Sequence, residues 1–499
     1  MSESRSSFGG LGAVFFLAAF GAIAFFVQRQ TVPESRDELR KPVTVLPEVD
    51  DADAPPPVPW QDRVQLEAMS LTPIGLRPGD AVAPTDPAAD AERAVDPERA
   101  RYVQGLADGH QLLFTLDPVL QESALTIFRN REVPYGAAVM LDLRDNSVLA
   151  FAGYSKMDPQ VNPLEILTTA WAPAASTFKL ITAASLISHE KATPASRECY
   201  HGGFHGITDD ELKDNPALDT RCETLAAAIA HSYNLVIAKL ALKHLDQASL
   251  LETAQAMQFE TEIPFEFPIE RSPALIPADT TERSKVAAGF WHVDLSPVHA
   301  ALVASIFARG GMYQPPHLIA QVRGPAGEDL TPVPAKPNRV LDREAAEAVG
   351  GMMLGTTMQG TAKDSFYDGQ GTPFIAEAKV AGKTGSLTGK RPPMLNYNWF
   401  IGYAPAENPE IAFAVVLANE AKWKIKAHYA ARRLVQIYLE RREAISEQRE
   451  VRLGEQGLEM PQRDPETGVV MADTKPSQEP AQPPTLPPVP GAVEQPNAG

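Results

Sequence analysis

The chain has 499 residues, of which 44% are hydrophobic and 22% charged, a composition typical of a globular protein with a sizeable core. Its formal net charge is -18, and the acidic residues are spread along the chain. This balance argues against a nucleic-acid partner, which would require a basic face. Many of the 45 prolines lie near the two ends, which predicts a folded middle with extended flanks.

The N-terminus carries an apolar segment that predicts a membrane anchor within residues 1–30. Phe8–Val27 contains no charged residue, and a helix of about 20 residues can cross a hydrocarbon core of roughly 30 Å. The alternative is a cleaved signal peptide, because Ala22–Ala24 resembles a cleavage site. We favour an uncleaved anchor because the apolar run continues past that site. The flanking charges do not settle its orientation.

The rest of the chain divides by composition into three parts. Residues 31–100 predict an extended stalk rich in Pro and Ala, residues 101–447 a folded domain, and residues 448–499 a disordered Pro-rich tail. Within the domain, strand patterns stand near both ends and helical patterns lie mainly between them. The strand patterns are at 136–143, 147–152, 379–384, 399–403 and 411–417. One helical pattern follows residues 114–117 and ends at 129, a second runs from 176 to about 245, and a third from 428 to 447. This order predicts an α/β body whose sheet is built from both ends of the domain, with a helical lobe inserted between them.

Ser176 and Lys179 form an S-x-x-K pair at the start of a predicted apolar helix. A serine hydroxyl needs an adjacent base to act as a nucleophile, and residues three apart on a helix share a face. Burial and neighbouring cations lower a lysine pKa, as a lysine base requires. A second copy, at Ser188 and Lys191, has the polar setting of a helix end. We therefore do not expect Ser188 to be the nucleophile.

Two further motifs follow in order along the chain. Ser232 and Asn234 form an S-x-N at a predicted turn between two apolar helices, although alone they could be a helix cap and a turn residue. Lys383, Thr384 and Gly385 form a K-T-G after a strand-like run, and they offer a cation and a hydroxyl to a carboxylate. The ordered trio is an established signature of penicillin-binding proteins and serine β-lactamases.

Over roughly residues 108–440 the chain resembles the transpeptidase domain of penicillin-binding proteins. Segments outside the trio also carry the resemblance, at 114–121, 295–299, 308–312, 353–357 and 398–405. Gly289-Phe290-Trp291 stands where the family usually has G-Q-G. The resemblance implies a β-lactamase/transpeptidase-like α/β fold, mainly an antiparallel sheet flanked by helices with an inserted all-helical lobe. It implies no cofactor.

The resemblance also implies a catalytic role for each residue of the three motifs. Ser176 would attack the carbonyl between the terminal D-alanines of a peptidoglycan stem peptide, and Lys179 would accept its proton. Ser232 would pass a proton to the leaving D-alanine, with Lys383 tuning it. Asn234 would hold the substrate amide and Lys179. β-Lactams, which mimic the dipeptide, would trap the serine.

The remaining implied roles concern the strand that carries the K-T-G. Thr384 would bind the terminal carboxylate of the substrate, and Gly385 would let the substrate lie against the backbone. The backbone N–H groups of Ser176 and Ser386 would form the oxyanion hole. We expect a single-pass protein of the inner membrane with a periplasmic catalytic domain, and a glycan-polymerising membrane protein is a candidate partner.

Cys199 and Cys222 bracket a polar segment just before the S-x-N. In an oxidising compartment an even pair predicts a disulfide. Two free thiols and a metal site are the alternatives, the latter because His201 and His205 lie close by and some relatives place zinc in a comparable segment. We expect the disulfide and no metal.

Three other functions remain as alternatives to the transpeptidase. A D,D-carboxypeptidase differs only in using water to resolve the acyl-enzyme. A β-lactamase with an S-x-N needs an added Glu base, and no E-x-x-L-N stretch stands between Ser232 and Lys383. A non-enzymatic β-lactam sensor would need a cytoplasmic output domain, for which the few residues before the span leave no room.

Overall fold

The structure is a computed structural model that describes residues 102–105, 109–203, 207–332, 334–389, 394–421 and 424–455. The predicted anchor and stalk, and the predicted tail from residue 456 onward, lie outside the described residues. Within these ranges, none of the helices combines the length and the apolar character that crossing a bilayer requires.

The elements follow one another along the domain in mixed order. The strands are β1 (Val103–Gly105), β2 (Gln111–Phe114), β3 (Tyr135–Asp142), β4 (Ser147–Ser155), β5 (Ala172–Pro173), β6 (Arg197–Tyr200), β7 (Arg221–Thr224), β8 (Asp294–Leu295), β9 (Met312–Tyr313), β10 (Ile319–Arg323), β11 (Asn338–Arg339), β12 (Ala381–Thr388), β13 (Asn396–Ala404) and β14 (Ile411–Asn419). The helices are α1 (Pro118–Asn130), α2 (Pro163–Thr168), α3 (Lys179–Ser188), α4 (Asp209–Leu212), α5 (Leu225–His231), α6 (Asn234–His244), α7 (Gln247–Ala256), α8 (Thr280–Ala287), α9 (Pro297–Ala308), α10 (Arg343–Met358), α11 (Lys363–Phe366) and α12 (Ala427–Glu455). A short 3-10 turn, Ala175–Thr177, precedes α3.

The central sheet joins the two ends of the domain. Its strand order is β12-β13-β14-β3-β4, and all neighbours are antiparallel. The pairing of β14 with β3 places Ala414 opposite Val139, although 275 residues separate them in the chain. The predicted sheet built from both ends is therefore confirmed, and β12, which carries the K-T-G, lies at one edge.

Both faces of this sheet are buried, and alternate residues serve opposite cores. On β3, Val139 and Leu141 face one core, whereas Ala138 and Met140 face the other. The first core contains α9, whose residues are all buried, and it continues into the helical lobe. The second core is covered by α1 and α12. The near-continuous apolar runs in the strands follow from this double coverage.

Asp117 ties the two helices of the second core together. Its carboxylate caps α1 by accepting hydrogen bonds from the N–H groups of Val119 and Leu120, and it is paired with Arg441 of α12 at 2.7 Å. The carboxylate is almost fully buried. A charge so placed requires both the cap and the ion pair.

Two features differ in detail from the sequence patterns. The predicted helical stretch from 176 to about 245 contains the hairpin β6–β7, because Pro194, Gly202 and Gly203 interrupt helix propagation. The final helix continues to Glu455, so residues 448–455, expected to be disordered, are helical.

Glu266 fastens the loop between α7 and α8 to the start of β10. Its Oε1 accepts hydrogen bonds from the N–H groups of Leu318 (2.7 Å) and Ile319 (2.9 Å), and Oε2 has no hydrogen-bond partner among the described residues. Burial raises the pKa of this carboxyl to about 7, although the two backbone hydrogen bonds act in the opposite direction. The protonated form is therefore the better tolerated one.

We predict that Glu266→Gln makes the stability of the domain less dependent on pH. Because the folded carboxyl has the higher pKa, its contribution to stability is complete below about pH 4.5 and is lost as the pH rises to about 7. The amide keeps the accepting oxygen and cannot ionise. Urea unfolding should give similar free energies for both proteins near pH 4.5, and above pH 7 a variant more stable by up to about 3 kcal/mol. A difference that does not change with pH would contradict this prediction.

Candidate active site

Ser176 lies in the 3-10 turn between β5 and α3, and three hydrogen bonds hold that turn. The side-chain hydroxyl of Thr177 donates to Ala174 O (2.6 Å), the indole N–H of Trp399 donates to Pro173 O (2.9 Å), and Ala174 N donates to Val293 O (2.9 Å). The α-helix itself begins at Lys179, so the serine precedes it instead of lying inside it. The turn leaves Ser176 half-buried and accessible.

The amine of Lys179 is fully buried and touches three oxygen atoms. Its Nζ lies 2.7 Å from Ser176 Oγ, 2.8 Å from Asn234 Oδ1 and 2.6 Å from Ala288 O. Burial, followed by the nearby charge of Lys383, holds the pKa of Lys179 well below its usual range. A neutral amine that donates its two hydrogens to Asn234 and Ala288 directs its lone pair at Ser176 Oγ. It can then accept the serine proton.

The break between α5 and α6 places Ser232 and Asn234. Ser232 has φ 60°, in the left-handed region, and so ends α5, while Asn234 is the first residue of α6. The two side chains consequently meet different lysines. Asn234 accepts from Lys179, and Lys383 Nζ lies 3.1 Å from Ser232 Oγ.

The edge strand β12 completes the site. Lys383 is fully buried, and its Nζ donates to Thr384 O at 2.8 Å. Burial lowers the pKa of Lys383 to about 7. The hydroxyl of Thr384 lies 2.6 Å from that of Thr361, and Ser386 is exposed. A Cβ at Gly385 would lie 3.2 Å from Ala174 O, so the strand passes directly against the nucleophile turn.

Gly289 lets a second segment approach the same turn. Its φ is +89°, and a Cβ there would lie 2.3 Å from Ala175 O and 2.9 Å from Ser176 N. The neighbouring Ala288 supplies the carbonyl that holds Lys179. The hydroxyls of Ser176 and Ser232 therefore each contact a buried amine, that of Lys179 or of Lys383, and Thr384 follows Lys383 on β12.

The sequence was compared with models of protein families, and the family model of the penicillin-binding protein transpeptidase domain matches residues 136–437. The chain belongs to this family. A relative is the peptidoglycan D,D-transpeptidase PbpA of Mycobacterium tuberculosis, 24% identical over 66% of this chain and 74% of its own length. Another, MrdA of Haemophilus influenzae, is 24% identical over 67% of this chain and 57% of its own length.

Solved structures show that this transpeptidase domain has the expected fold. Penicillin-binding protein A of M. tuberculosis, solved as an imipenem acyl-enzyme complex, superposes with a TM-score of 0.55 at 20% identity, over 68% of this chain and 80% of that one. The D,D-transpeptidase domain from Eggerthella lenta gives a TM-score of 0.54 at 22% identity, over 70% and 85%. The predicted β-lactamase/transpeptidase-like fold is thus confirmed.

The second S-x-x-K pair of the transpeptidase domain lies apart from this crevice. Ser188 is the last residue of α3, and its Oγ is buried with no hydrogen-bond partner in the described part of the chain. Lys191 is exposed. Nothing in this arrangement activates the hydroxyl of Ser188.

The structure joins Cys199 and Cys222 by a disulfide that pairs β6 with β7. His201 contacts Asp219, and His205 lies outside the described residues. Among the residues that are described, no three His, Cys, Asp or Glu side chains are grouped so that they could hold a metal ion.

Several residues of the site have no place in the three motifs. Thr361 faces Thr384, and Asn398 donates to Ser386 Oγ (3.0 Å) while accepting from Ala427 N (2.6 Å). The Ala288 carbonyl acts through its backbone, which carries no residue signature. Gly289 and Asn398 each had a signal, because Gly289 opens the segment that stands in place of G-Q-G and Asn398 opens the segment 398–405 that carries the resemblance.

We predict that Gly289→Ala destabilises the transpeptidase domain more than Gly371→Ala does. Both glycines have φ between +85° and +89°, but a Cβ at Gly371 meets nothing within 4 Å. Gly371→Ala, the control, should therefore lose only the free energy of the backbone strain, about 1–2 kcal/mol. At Gly289 the carbonyl of Ala175 must also move. Equal losses in the free energy of urea unfolding would contradict the close approach.

Proposed function

We propose that this chain is a serine D,D-transpeptidase that cross-links peptidoglycan stem peptides ending in D-Ala-D-Ala, and that β-lactams acylate it at Ser176. The contact between Ser176 Oγ and the buried Lys179 amine carries the proposal, since it activates one hydroxyl in the crevice. Family membership supports it, and so do the names of the PbpA and MrdA relatives, both peptidoglycan D,D-transpeptidases.

Acylation begins with proton transfer from Ser176 Oγ to the neutral amine of Lys179. The oxygen then attacks the carbonyl between the two D-alanines, and the backbone N–H groups of Ser176 and Ser386 stabilise the resulting oxyanion. The C–N bond breaks as Ser232 gives a proton to the leaving nitrogen. Ser232 can recover a proton from Lys383, which lies 3.1 Å from it. D-Alanine leaves and an ester to Ser176 remains.

The second half of the reaction repeats these roles with a new nucleophile. The amine of a second stem peptide attacks the ester and gives a proton to Ser232, which passes one on to Lys383. Lys179 returns its proton to Ser176 Oγ as the ester C–O bond breaks, so the free serine is restored. Asn234 holds the substrate amide, and Thr384 binds the terminal carboxylate of the donor. Gly385 leaves the strand edge open to the peptide backbone. Water in place of the amine would make the same site a D,D-carboxypeptidase.

The proposed cellular setting follows from the chemistry of the substrate. Peptidoglycan lies outside the inner membrane, so the catalytic domain would be periplasmic and the segment Phe8–Val27 would anchor it. The bond between Cys199 and Cys222 suits an oxidising compartment. A glycan-polymerising membrane protein would supply the strands to be cross-linked.

We predict that fluorescent penicillin labels the wild-type protein and Ser188→Ala, but not Ser176→Ala. The hydroxyl of Ser176 contacts the buried amine of Lys179, whereas the hydroxyl of Ser188 has no hydrogen-bond partner among the described residues. Labelling is measured on a denaturing gel, with thermal unfolding as a check on each variant. A label that persists on Ser176→Ala would overturn the assignment of the nucleophile.

Product analysis separates the proposed reaction from its alternatives. With a D-Ala-D-Ala peptide and an added D-amino acid, a transpeptidase forms the exchanged peptide. Release by water alone would indicate a carboxypeptidase. Rapid turnover of nitrocefin would indicate a β-lactamase.

We predict that Lys383→Met moves the acid limb of the acylation profile to higher pH. Acylation requires neutral Lys179, and after burial the charge of Lys383 is the second cause that lowers the pKa of Lys179. Removal of that charge therefore raises the pKa of Lys179 and moves the limb to higher pH. The second-order rate of penicillin acylation between about pH 5 and 9 gives the measurement.

The matched control for this experiment is Lys379→Met. That lysine lies just before β12 and makes an exposed ion pair with Glu407 at 2.8 Å. Its profile should coincide with that of the wild type. A Lys383→Met limb that stays in place or moves to lower pH would contradict the electrostatic coupling of the two amines.

A further inference from the structure

Lys239 is a fully buried cation that takes no part in the proposed chemistry. It lies in α6, five positions after Asn234, on a helix that is mostly apolar. Its Nζ lies 3.0 Å from Asp219 Oδ2, 3.1 Å from Asp214 Oδ1 and 3.8 Å from Glu198 Oε1. A buried ammonium without such partners would cost several kcal/mol, so these carboxylates must stay in place around it.

Two of the three carboxylates belong to the segment that the disulfide closes, and the third immediately precedes it. Glu198 lies in β6, next to Cys199, while Asp214 and Asp219 lie between α4 and β7. Asp219 also accepts from Asn215 N at 2.9 Å and contacts His201 Nδ1. Lys243 of α6 lies 2.7 Å from Glu198 Oε1 and 3.0 Å from Asp214 Oδ1, whereas Asp219 pairs with Lys239. These carboxylates thus surround the ends of two lysine side chains of one helix, of which Lys239 is the fully buried one.

The same segment also touches the S-x-N turn. Tyr233, the middle residue of that motif, stacks on His231 with ring centroids 5.4 Å apart and packs against Tyr200 of β6 at 6.3 Å. The guanidinium of Arg221, in β7, lies 4.7 Å from the centre of the Tyr200 ring. The hairpin β6–β7 therefore contacts α6 along its length and the turn before it.

Since an α-helix is a rigid element, contacts along α6 fix the position of its first residue. That residue is Asn234, whose Oδ1 accepts from Lys179 Nζ at 2.8 Å. A displacement of Asn234 by about 1 Å along the direction of this contact would take the two atoms beyond hydrogen-bonding distance. A misplacement of about 1 Å at a distance from the chemistry can slow an enzyme about 100-fold.

We propose that Lys239 is a positioning residue for acylation. Its ion cluster with Asp219, Asp214 and Glu198 holds α6 in register, so that Asn234 orients the amine of Lys179 toward Ser176. The inference rests on the proposed function of Ser176 and Lys179. It means that contacts between the disulfide-closed segment and α6 also affect the acylation rate.

The test compares Lys239→Met with Lys213→Met in the full-length protein in detergent. Lys213 lies in the same disulfide-closed segment, but its ion pair with Asp210 is exposed on both sides. Stopped-flow acylation by penicillin separates the dissociation constant of the initial complex from the acylation rate. Lys239→Met should lower the acylation rate about tenfold or more, with the dissociation constant unchanged within about twofold. Lys213→Met should match the wild type.

A double-mutant cycle with Asn234→Ala shows whether the effect passes through Asn234. If Lys239 acts by placing that amide, Lys239→Met causes no further loss of rate in the Asn234→Ala background. Equal losses in both backgrounds, or an unchanged rate in Lys239→Met alone, would overturn the inference.

Asp219→Asn provides the same test if Lys239→Met does not fold. It keeps the shape of the side chain, leaves Lys239 beside Asp214, and should lower the acylation rate in the same direction. An unchanged rate in a folded Asp219→Asn protein counts against the inference. Failure of penicillin to label the wild type would instead refute the proposed function, so the two failures are distinguishable.

Discussion

The amine of Lys179 is withdrawn from water and placed among three oxygen atoms, and the other parts of the site are arranged around that contact. Burial makes the charged form unfavourable, and the charge of Lys383 adds to the effect. The carbonyl of Ala288 and the amide of Asn234 then consume the hydrogens of a neutral amine. What is left is a lone pair directed at one hydroxyl.

This arrangement needs elements from distant parts of the chain. The nucleophile turn comes from the segment before α3, Asn234 from the start of α6, and Ala288 from the residue after α8. The fourth part, β12, is paired to a sheet that joins both ends of the domain. Gly289 and Gly385 allow two of these backbones to come within van der Waals contact of the turn. Small shifts of any one element would separate the amine from the hydroxyl.

The sequence predicts the parts of the site that depend on local spacing. Ser176 and Lys179 are recognisable because a spacing of three positions brings two side chains together on a helical turn. Ser232, Asn234 and Lys383 are recognisable from the order of their motifs along the chain. The sheet was also predictable, since its strands are long apolar runs covered on both faces.

Other parts depend on packing between distant segments and have no such local pattern. The Ala288 carbonyl is a backbone group, and any residue could supply it. Thr361, Glu266 and Lys239 acquire their partners only when separate elements meet, across 23, 52 and 20 residues of chain for their nearest contacts. The hairpin β6–β7 was missed because its strands are short and polar, although the cysteine pair that closes it was visible.

The protonation state of Lys179 tests most directly whether its amine can act as the base for Ser176. Proteins labelled with ¹³C and ¹⁵N at lysine allow the side-chain Cε and Nζ resonances to be followed by NMR across the pH range, and Lys179→Met assigns the signal. We expect a neutral amine at neutral pH, titrating well below the usual 10.5. A Lys179 signal that remains that of an ammonium ion up to about pH 10 would contradict it.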